Sequence, residues 1–247
     1  LVDLDENLNL IPGAAESWEA SEDGLSWTFR LRPGQVWSDG TPLTANDYVA
    51  SYRYMATPES AYDFEWMWQG IILNWSEAVA GEVSPEEIGM EAVDDLTLVV
   101  RTNGPRPYLP GTLYFWPPLQ AAALAEYGPD YILDPATSVS SGPFMLTEFV
   151  AGDRVTMVAN PTYNGYRKPY LRQLQGIYGD QLNGSFLAFQ NREIDHVPYV
   201  HISPADFEVI ASDPVLSENY LPNFGDFRTD YLFFDTYNPP FDDQRVR

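Results

Sequence analysis

Alternating hydrophobic and polar positions predict that the first part of the chain is built mainly from β-strands. Over residues 25–31, leucine and aromatic side chains occupy every second position, and serine, threonine and arginine fill the positions between them. A period of two places the apolar side chains on one face of a half-buried strand. Turn residues bound this run, with Asp23-Gly24 before it and Pro33-Gly34 after it. A similar alternation predicts another strand over residues 96–100.

Two segments of the first part have the spacing of helices. Thr44 can act as an N-cap, and Asp47 three residues later can complete a capping box. Apolar residues then recur at helical spacing, so we predict a helix over residues 45–56 that ends before the next proline. A shorter helix is predicted over residues 119–127, where a Gly-Pro pair ends the pattern.

The second part of the chain has a different order of predicted elements. A hairpin joins residues 144–150 to residues 154–159 through a turn that contains glycine. The elements predicted after it are, in order, a strand over 171–178, a helix over 185–191, a strand over 194–199, a helix capped by Ser203 and a strand over 231–236. A strand, a helix and a strand in succession predict a β-α-β unit. The predicted fold class is therefore mixed α and β, with a β-rich part over residues 1–140 and an α/β part over residues 141–247.

The composition disfavours several classes of partner. The 247 residues include 13 lysines and arginines against 36 aspartates and glutamates, a formal net charge of -23. Such a surface repels phosphate backbones and anionic headgroups, which disfavours binding to nucleic acids and to membrane surfaces. No apolar run reaches the roughly 18 residues of a membrane-spanning helix, and residues 1–10 lack the basic and then apolar pattern of an export signal.

The sequence lacks the usual signatures of catalytic or metal-binding chemistry. It contains no cysteine, and its two histidines, His196 and His201, are five positions apart around a proline, a spacing that does not bring metal ligands together. No nucleophile-elbow, Walker or dinucleotide-binding motif occurs. Paired carboxylates such as Asp94 and Asp95 are adjacent in sequence, so their side chains diverge. We therefore predict a protein that is not an enzyme and uses no cofactor or metal.

Six segments, in the same order, resemble the landmarks of one protein family. They are AAESWEASEDGLSWTFRLR at 14–32, PGQVWSDGTPLTANDYV at 33–49, SGPF at 141–144, Asn160-Pro161 with Tyr163, NREID at 191–195 and NPPFDDQRVR at 238–247. The chain resembles the extracellular solute-binding proteins of family 5, large bacterial and archaeal proteins that deliver peptides, nickel or oligosaccharides to ATP-driven importers. Within these landmarks, Trp37, Asp39 and Gly40 are expected to serve core packing and turn geometry.

The resemblance implies the fold, the partners and the location of the protein. The implied fold is the type II periplasmic-binding-protein fold, in which two lobes close on a ligand. Because the last landmark normally lies near the middle of longer family members, the chain resembles the first lobe alone, without the second lobe. The implied partners are a peptide or another small oligomeric ligand and the membrane-embedded permease of an ABC transporter. The resemblance also implies that the protein is a monomer and that it acts outside the cytoplasm, in the periplasm or at the cell surface. Its export signal is expected to lie outside this sequence.

A group of aromatic residues is the first candidate ligand-binding surface. The residues concerned, at alternate positions, are Tyr62, Phe64, Trp66 and Trp68. On an extended segment all four would line one side. Aromatic rings in a cleft can stack on peptide side chains or on the faces of sugars. The alternative for each ring, taken singly, is ordinary packing in the core.

Three further residues are candidate ligand contacts because of the resemblance. Ser141 and Gly142 lie where the family's chain passes the cleft between lobes, and glycine there would allow close backbone approach to a ligand. A structural role for this pair is equally consistent with the sequence. Asn238 leads toward the hinge between lobes, where its side chain could bond either a ligand backbone or a crossing strand.

Three functions remain open from the sequence. The favoured one is a binding lobe of an uptake transporter, which predicts no turnover and only weak ligand affinity without a second lobe. Another is a carbohydrate-binding or carbohydrate-active protein, suggested by the acidic surface and the seven tryptophans. Retaining hydrolysis of a sugar would need two carboxylates about 5 Å apart. The last keeps the family but assigns a structural or chaperone-like role.

Overall fold

The computed structural model describes residues 1–5, 7–60, 62–115, 117–165, 167–179, 184–198, 201–220, 236–237, 239–240, 243 and 245. The chain divides into two compact units, Leu1–Gln181 and Leu182–Arg247. The division at residue 140 concerns subdomains of a lobe and stays a prediction. Within the described ranges, no helix combines the length and the apolar character needed to cross a bilayer.

The described residues form strands and helices in a mixed α/β arrangement. In chain order the strands are β1 (Val2–Leu4), β2 (Leu10–Pro12), β3 (Ala15–Ala20), β4 (Ser26–Leu31), β5 (Met90–Asp94), β6 (Thr97–Arg101), β7 (Phe144–Val150), β8 (Arg154–Ala159) and β9 (Gln173–Ile177). The helices are α1 (Ala45–Met55), α2 (Trp75–Val79), α3 (Leu109–Thr112), α4 (Ala121–Tyr127), α5 (Ser185–Gln190), α6 (Pro204–Ser212) and α7 (Pro214–Glu218). These strands pair antiparallel in the orders β1-β2, β3-β4-β6-β5 and β7-β8-β9.

The elements predicted for the first part of the chain are confirmed, with small changes at their ends. The two predicted strands are β4 and β6, and they pair with Phe29 opposite Leu98. The apolar side chains at Phe29, Leu98 and Val100 are completely buried. The two predicted helices are α1 and α4. Alternation therefore identifies the buried face within these strands, whereas Leu25, just before β4, is 41% exposed.

Helix α1 packs against β5 and β6 and carries much of the core. The Asp47 carboxylate accepts a hydrogen bond from the N–H of Thr44 at 2.8 Å, so the predicted capping residues do begin the helix. Tyr48 and Tyr52, on the inner face of the helix, are buried. Burial of these two rings removes a large apolar surface from water, which stabilises the unit.

The predicted β-α-β unit is wrong for the described residues. Strand β9 pairs antiparallel with β8, and residues 194–198 form no strand after α5. Pro198 contributes to this outcome because proline has no N–H to donate to a ladder. Helix α6 begins as predicted, with the Ser203 hydroxyl accepting a hydrogen bond from the N–H of Asp206. The strand predicted over 231–236 lies outside the described residues except for its last position.

Candidate functional site

A cavity of about 490 Å³ lies within the unit Leu1–Gln181. Its size falls in the range of pockets that hold small ligands. Its wall combines apolar surface with aromatic rings, backbone groups and a carboxylate. The lining residues that bear on ligand chemistry are Asp3, Tyr48, Tyr114, Ser141, Gly142 and Tyr163. Two of the sequence-predicted site residues, Ser141 and Gly142, therefore lie together at this cavity.

A network of hydrogen bonds fixes the backbone on both sides of Ser141. The Ser38 N–H donates to the Ser140 carbonyl at 2.8 Å, and the Ser140 N–H donates to the Ser38 hydroxyl at 3.0 Å. The Gly142 N–H donates to the Ser140 hydroxyl at 3.0 Å. The side-chain amide of Asn160 donates to the Gly142 carbonyl at 2.9 Å. Both main-chain polar groups of Gly142 are thus engaged by the protein.

Asn160 is itself held in one orientation, with only 4% of its surface exposed. Its N–H donates to the Pro143 carbonyl at 2.8 Å. Its side-chain oxygen accepts hydrogen bonds from the Thr162 N–H at 3.0 Å and from the Thr162 hydroxyl at 2.7 Å. Because its nitrogen and its oxygen both have partners, the buried amide has one satisfied orientation. Asn160 therefore fixes the position of the Gly142 carbonyl.

Ser141 differs from its neighbours because its polar groups are not engaged. Among the residues that the structure describes, none forms a hydrogen bond with the N–H, the carbonyl or the hydroxyl of Ser141. The residue lines the cavity. A ligand there can exchange main-chain hydrogen bonds with Ser141, whereas Gly142 offers close approach of its backbone.

The turn that contains Trp37, Asp39 and Gly40 has the structural role expected from its sequence. Trp37 is buried, and Gly40 has a φ of +87°, a conformation that favours glycine. The Asp39 carboxylate accepts hydrogen bonds from the Gln120 amide at 2.8 Å and from the Thr41 N–H at 2.9 Å. Partial burial raises the pKa of Asp39, but these hydrogen bonds outweigh it, and the pKa lies below the usual value for aspartate.

We expect the stabilisation by Asp39 to depend on pH. A carboxylate whose pKa is lowered by folding stabilises the folded state above the unfolded-chain pKa, and the contribution is lost as the pH falls through the lowered pKa. The substitution Asp39→Asn should lower the free energy of unfolding by about 1 kcal/mol at neutral pH, and by less in acid. Urea unfolding at the two pH values measures the difference. Asp130→Asn is the control, because no described residue forms a hydrogen bond with the Asp130 carboxylate; the same pH dependence in both variants would contradict a specific role for Asp39.

The aromatic segment is not extended, so its four rings do not share one side. A 3₁₀ turn spans Glu65–Met67, and hydrogen bonds between residues three apart satisfy its backbone locally. Trp68 is completely buried, whereas Phe64 is 48% and Trp66 is 61% exposed. Tyr62 is partly buried, and this burial raises its pKa to about 12. Trp68 belongs to the core, and none of the four rings lines the cavity.

Sequence reasoning misses the tyrosines of the cavity wall because they are far apart in the chain. Tyr48 follows the helical spacing of a core residue, and burial raises its pKa. Tyr163 belongs to a family landmark that assigns it no role. Burial, and then the nearby Asp3 carboxylate, raise the pKa of Tyr163. Both phenols are therefore neutral, and the partly buried Tyr163 can act as a hydrogen-bond donor to a ligand. The one signal in the sequence is the closeness of Tyr163 to the turn at Asn160.

The remaining candidate and the histidines lie elsewhere. Asn238 is outside the described residues. A second cavity, of about 700 Å³, lies within the unit Leu182–Arg247 among residues of α5, α6 and α7. His196 lines it and His201 does not. Over the part of the chain that the structure describes, no three histidines or carboxylates are grouped so that they could hold a metal ion.

Comparison with known proteins gives a consistent result. The profile of the bacterial extracellular solute-binding proteins, family 5 Middle, matches residues 9–247. The probable deoxycholate-binding periplasmic protein of Escherichia coli is 30% identical over 100% of this chain and 45% of its own length. The periplasmic oligopeptide-binding protein of Salmonella typhimurium is 30% identical over 96% of this chain and 43% of its own length. The solved Haemophilus influenzae OppA in complex with RPPGFSPFR is 27% identical, with a TM-score of 0.69 over 78% of this chain and 38% of that one. This chain therefore spans less than half the length of these relatives.

Proposed function

Since the chain belongs to the bacterial extracellular solute-binding proteins of family 5, we propose that it captures peptides or similar small oligomers for an uptake system. Two of the relatives support this cargo, because one is named for oligopeptide binding and the other is solved with a peptide. These similarities favour a peptide over a carbohydrate. The observation in the molecule that carries the proposal is the unengaged Ser141 at the wall of the cavity.

The cavity matches what a peptide backbone requires. A peptide presents an N–H and a carbonyl at nearly every residue, and Ser141 offers one free group of each kind beside its hydroxyl. The surrounding wall is apolar and aromatic, with Tyr48, Tyr114 and Tyr163 among its residues. Such a wall accepts varied side chains without selecting one of them. The arrangement favours recognition of the main chain over recognition of sequence.

We propose that the protein binds its ligand and catalyses no reaction on it. Among the residues that line the cavity, Asp3 supplies the carboxylate, whereas hydrolysis of a glycosidic bond needs a pair of carboxylic residues. The family is described as solute-binding. The protein is therefore expected to hold its ligand and release it unchanged.

The same proposal assigns the partners and the location. The protein acts as a monomer and passes its ligand to the membrane-embedded permease of an ABC importer. We place it outside the cytoplasm because the two named relatives are periplasmic. The family resemblance implies a second lobe that completes the ligand-binding cleft. The exposed rings of Phe64 and Trp66 and the side chain of Asn238 stay candidate contacts for a ligand held in this way.

Isothermal titration calorimetry with tri-alanine tests the proposal. We expect a saturable binding heat with the wild-type protein. The substitution Ser141→Pro removes the N–H that a peptide carbonyl would use, and should raise Kd roughly tenfold, the effect of losing about one hydrogen bond. Ser141→Ala keeps both main-chain groups and should change Kd less than about threefold. Circular dichroism checks that both variants fold.

Two other ligands make the result decisive. Maltotriose represents the carbohydrate alternative, and deoxycholate represents the cargo named for one relative. Saturable binding of either ligand without binding of tri-alanine would replace the peptide assignment. Equal losses of affinity in Ser141→Pro and Ser141→Ala would show that the hydroxyl, and not the main chain, contacts the peptide.

A further inference from the structure

A basic loop interrupts the acidic surface of the protein. From Arg154 to Gly179 the sequence contains four basic residues and no aspartate or glutamate, in a chain with 36 acidic and 13 basic residues. The structure places this segment on β8, on β9 and on the loop between them. Three of the four cations, Arg167, Lys168 and Arg172, lie in that loop.

Two of the four cations lie close to a carboxylate. Arg154 forms a salt bridge with Glu148 at 2.9 Å. Arg167 lies near Asp5, whose pKa is lowered mainly by hydrogen bonds from Asn9 and to a smaller extent by the charge of Arg167. Neither cation is therefore available as an isolated positive charge.

Lys168 and Arg172 keep their charges exposed. The Lys168 ammonium donates to the Tyr163 carbonyl and lies 5.6 Å from the centroid of that ring, and neither of these contacts carries a full negative charge. For Arg172, no described residue provides a hydrogen-bond or ion-pair partner to the guanidinium. Both side chains are exposed. The loop thus presents two uncompensated cations on a protein whose net charge is -23.

Between these cations the loop presents apolar surface to solvent. Tyr170 is fully exposed, and Leu171 is 58% exposed. Pro169 restricts the backbone just before them, which reduces the entropy lost when the loop is held by a partner. Tyrosine and arginine are enriched among the residues that dominate protein interfaces. Residues 168–172 therefore have the composition of a docking surface.

We propose that residues 168–172 dock on an acidic protein surface, the external face of the permease named under the proposed function, on which this assignment rests. The loop cations attract such a surface at contact, while the charges on the rest of the protein are screened beyond about 8 Å at physiological ionic strength. A bilayer is a weaker fit, because segments that bind anionic lipid typically carry about four to eight basic residues and this loop has two that are uncompensated.

The test compares binding of the protein and of a loop variant to the purified permease in nanodiscs. The loop variant combines Lys168→Gln, Tyr170→Ser and Arg172→Gln. We expect Kd, measured by biolayer interferometry, to rise at least about tenfold, because the change removes two attractive charges and an aromatic anchor. The loss should shrink as salt is added, since screening weakens the charge contribution in the wild type.

A matched control variant removes the same groups at another place. It combines Arg30→Gln, Arg192→Gln and Tyr127→Ser, three exposed positions outside the loop, so it loses two positive charges and one exposed tyrosine. Its Kd for the permease should change less than about twofold. Thermal unfolding confirms that both variants are folded.

Several outcomes would overturn the assignment. Unchanged permease affinity in the loop variant, or equal losses in the two variants, would show that the loop does not dock. Loop-dependent binding to vesicles of equal phosphatidylcholine and phosphatidylglycerol, or loop-dependent self-association, without a change at the permease would assign the loop to lipid or to a second copy. Tri-alanine binding separates the two proposals. If the wild-type protein binds tri-alanine and the loop variant keeps its affinity for the permease, only the docking proposal is contradicted. If permease affinity depends on the loop but tri-alanine does not bind, only the peptide cargo is contradicted.

Discussion

Replacement of Trp68 by alanine is expected to lower the free energy of unfolding by about 3–5 kcal/mol. The Trp68 ring is completely buried, and its centroid lies 5.5 Å from that of Tyr52 and 6.3 Å from that of Trp75. Truncation removes this buried apolar surface and leaves a cavity that rings carried by α1 and α2 cannot fill without leaving their own contacts. Urea unfolding followed by circular dichroism measures the effect.

Trp66 provides a matched control two positions away. Its ring is 61% exposed, so the same substitution, Trp66→Ala, should change the free energy of unfolding by less than about 0.5 kcal/mol. A large loss in both variants would mean that the segment packs as a unit in the core. A small loss in both would contradict the burial of Trp68. Tri-alanine titration of the folded Trp66→Ala protein also tests whether this exposed ring contacts ligand.

These two tryptophans show where a local pattern stops being informative. Residues 62–68 and residues 25–31 both alternate in the sequence. The second run became a strand because β3 and β6 lie on either side of it and complete its hydrogen bonds. The first run turned instead, because its own carbonyls accept from N–H groups three residues later. Partner strands come from distant parts of the chain, and alternation alone does not reveal them.

Local chemistry, in contrast, was predictable to the residue. Thr44 and Asp47 do begin α1, and Ser203 does cap α6. The hairpin of β7 and β8 has the predicted bounds, because its apolar strands and its glycine turn are adjacent in sequence. The predicted strand at 194–199 failed over its described residues because a β-α-β unit depends on pairing between segments that are far apart.

The candidate site was predictable only in part, for the same reason. The family resemblance pointed to Ser141 and Gly142, and the structure places both at a cavity. It did not reveal that Asn160, eighteen residues later, holds the Gly142 carbonyl. An Asn-Pro pair is ordinary turn chemistry in a sequence, so the support for the site becomes visible only when the contacts across the fold are known.

The substitution Asn160→Asp is expected to weaken tri-alanine binding roughly tenfold at neutral pH, the effect of losing about one hydrogen bond that fixes the Gly142 backbone. The new carboxylate would still accept from Thr162, but its other oxygen would face the Gly142 carbonyl and repel it. Protonation turns that oxygen into a donor, and burial raises the pKa of a carboxyl group. The ratio of the variant's Kd to that of the wild type should therefore fall toward one as the solution is acidified.

Calorimetry of both proteins across the pH range measures this ratio, and Asn103→Asp is the control. Asn103 is exposed, so this change adds the same charge without touching the site, and its ratio should stay near one at every pH. If Asn160→Asp binds tri-alanine as well as the wild type at every pH, including alkaline pH where the new carboxyl group is ionised, the Gly142 carbonyl does not need its donor for binding. If binding is lost and acid does not restore it, the damage comes from the changed fold around Asn160, because only the hydrogen bond to Gly142 is regained by protonation.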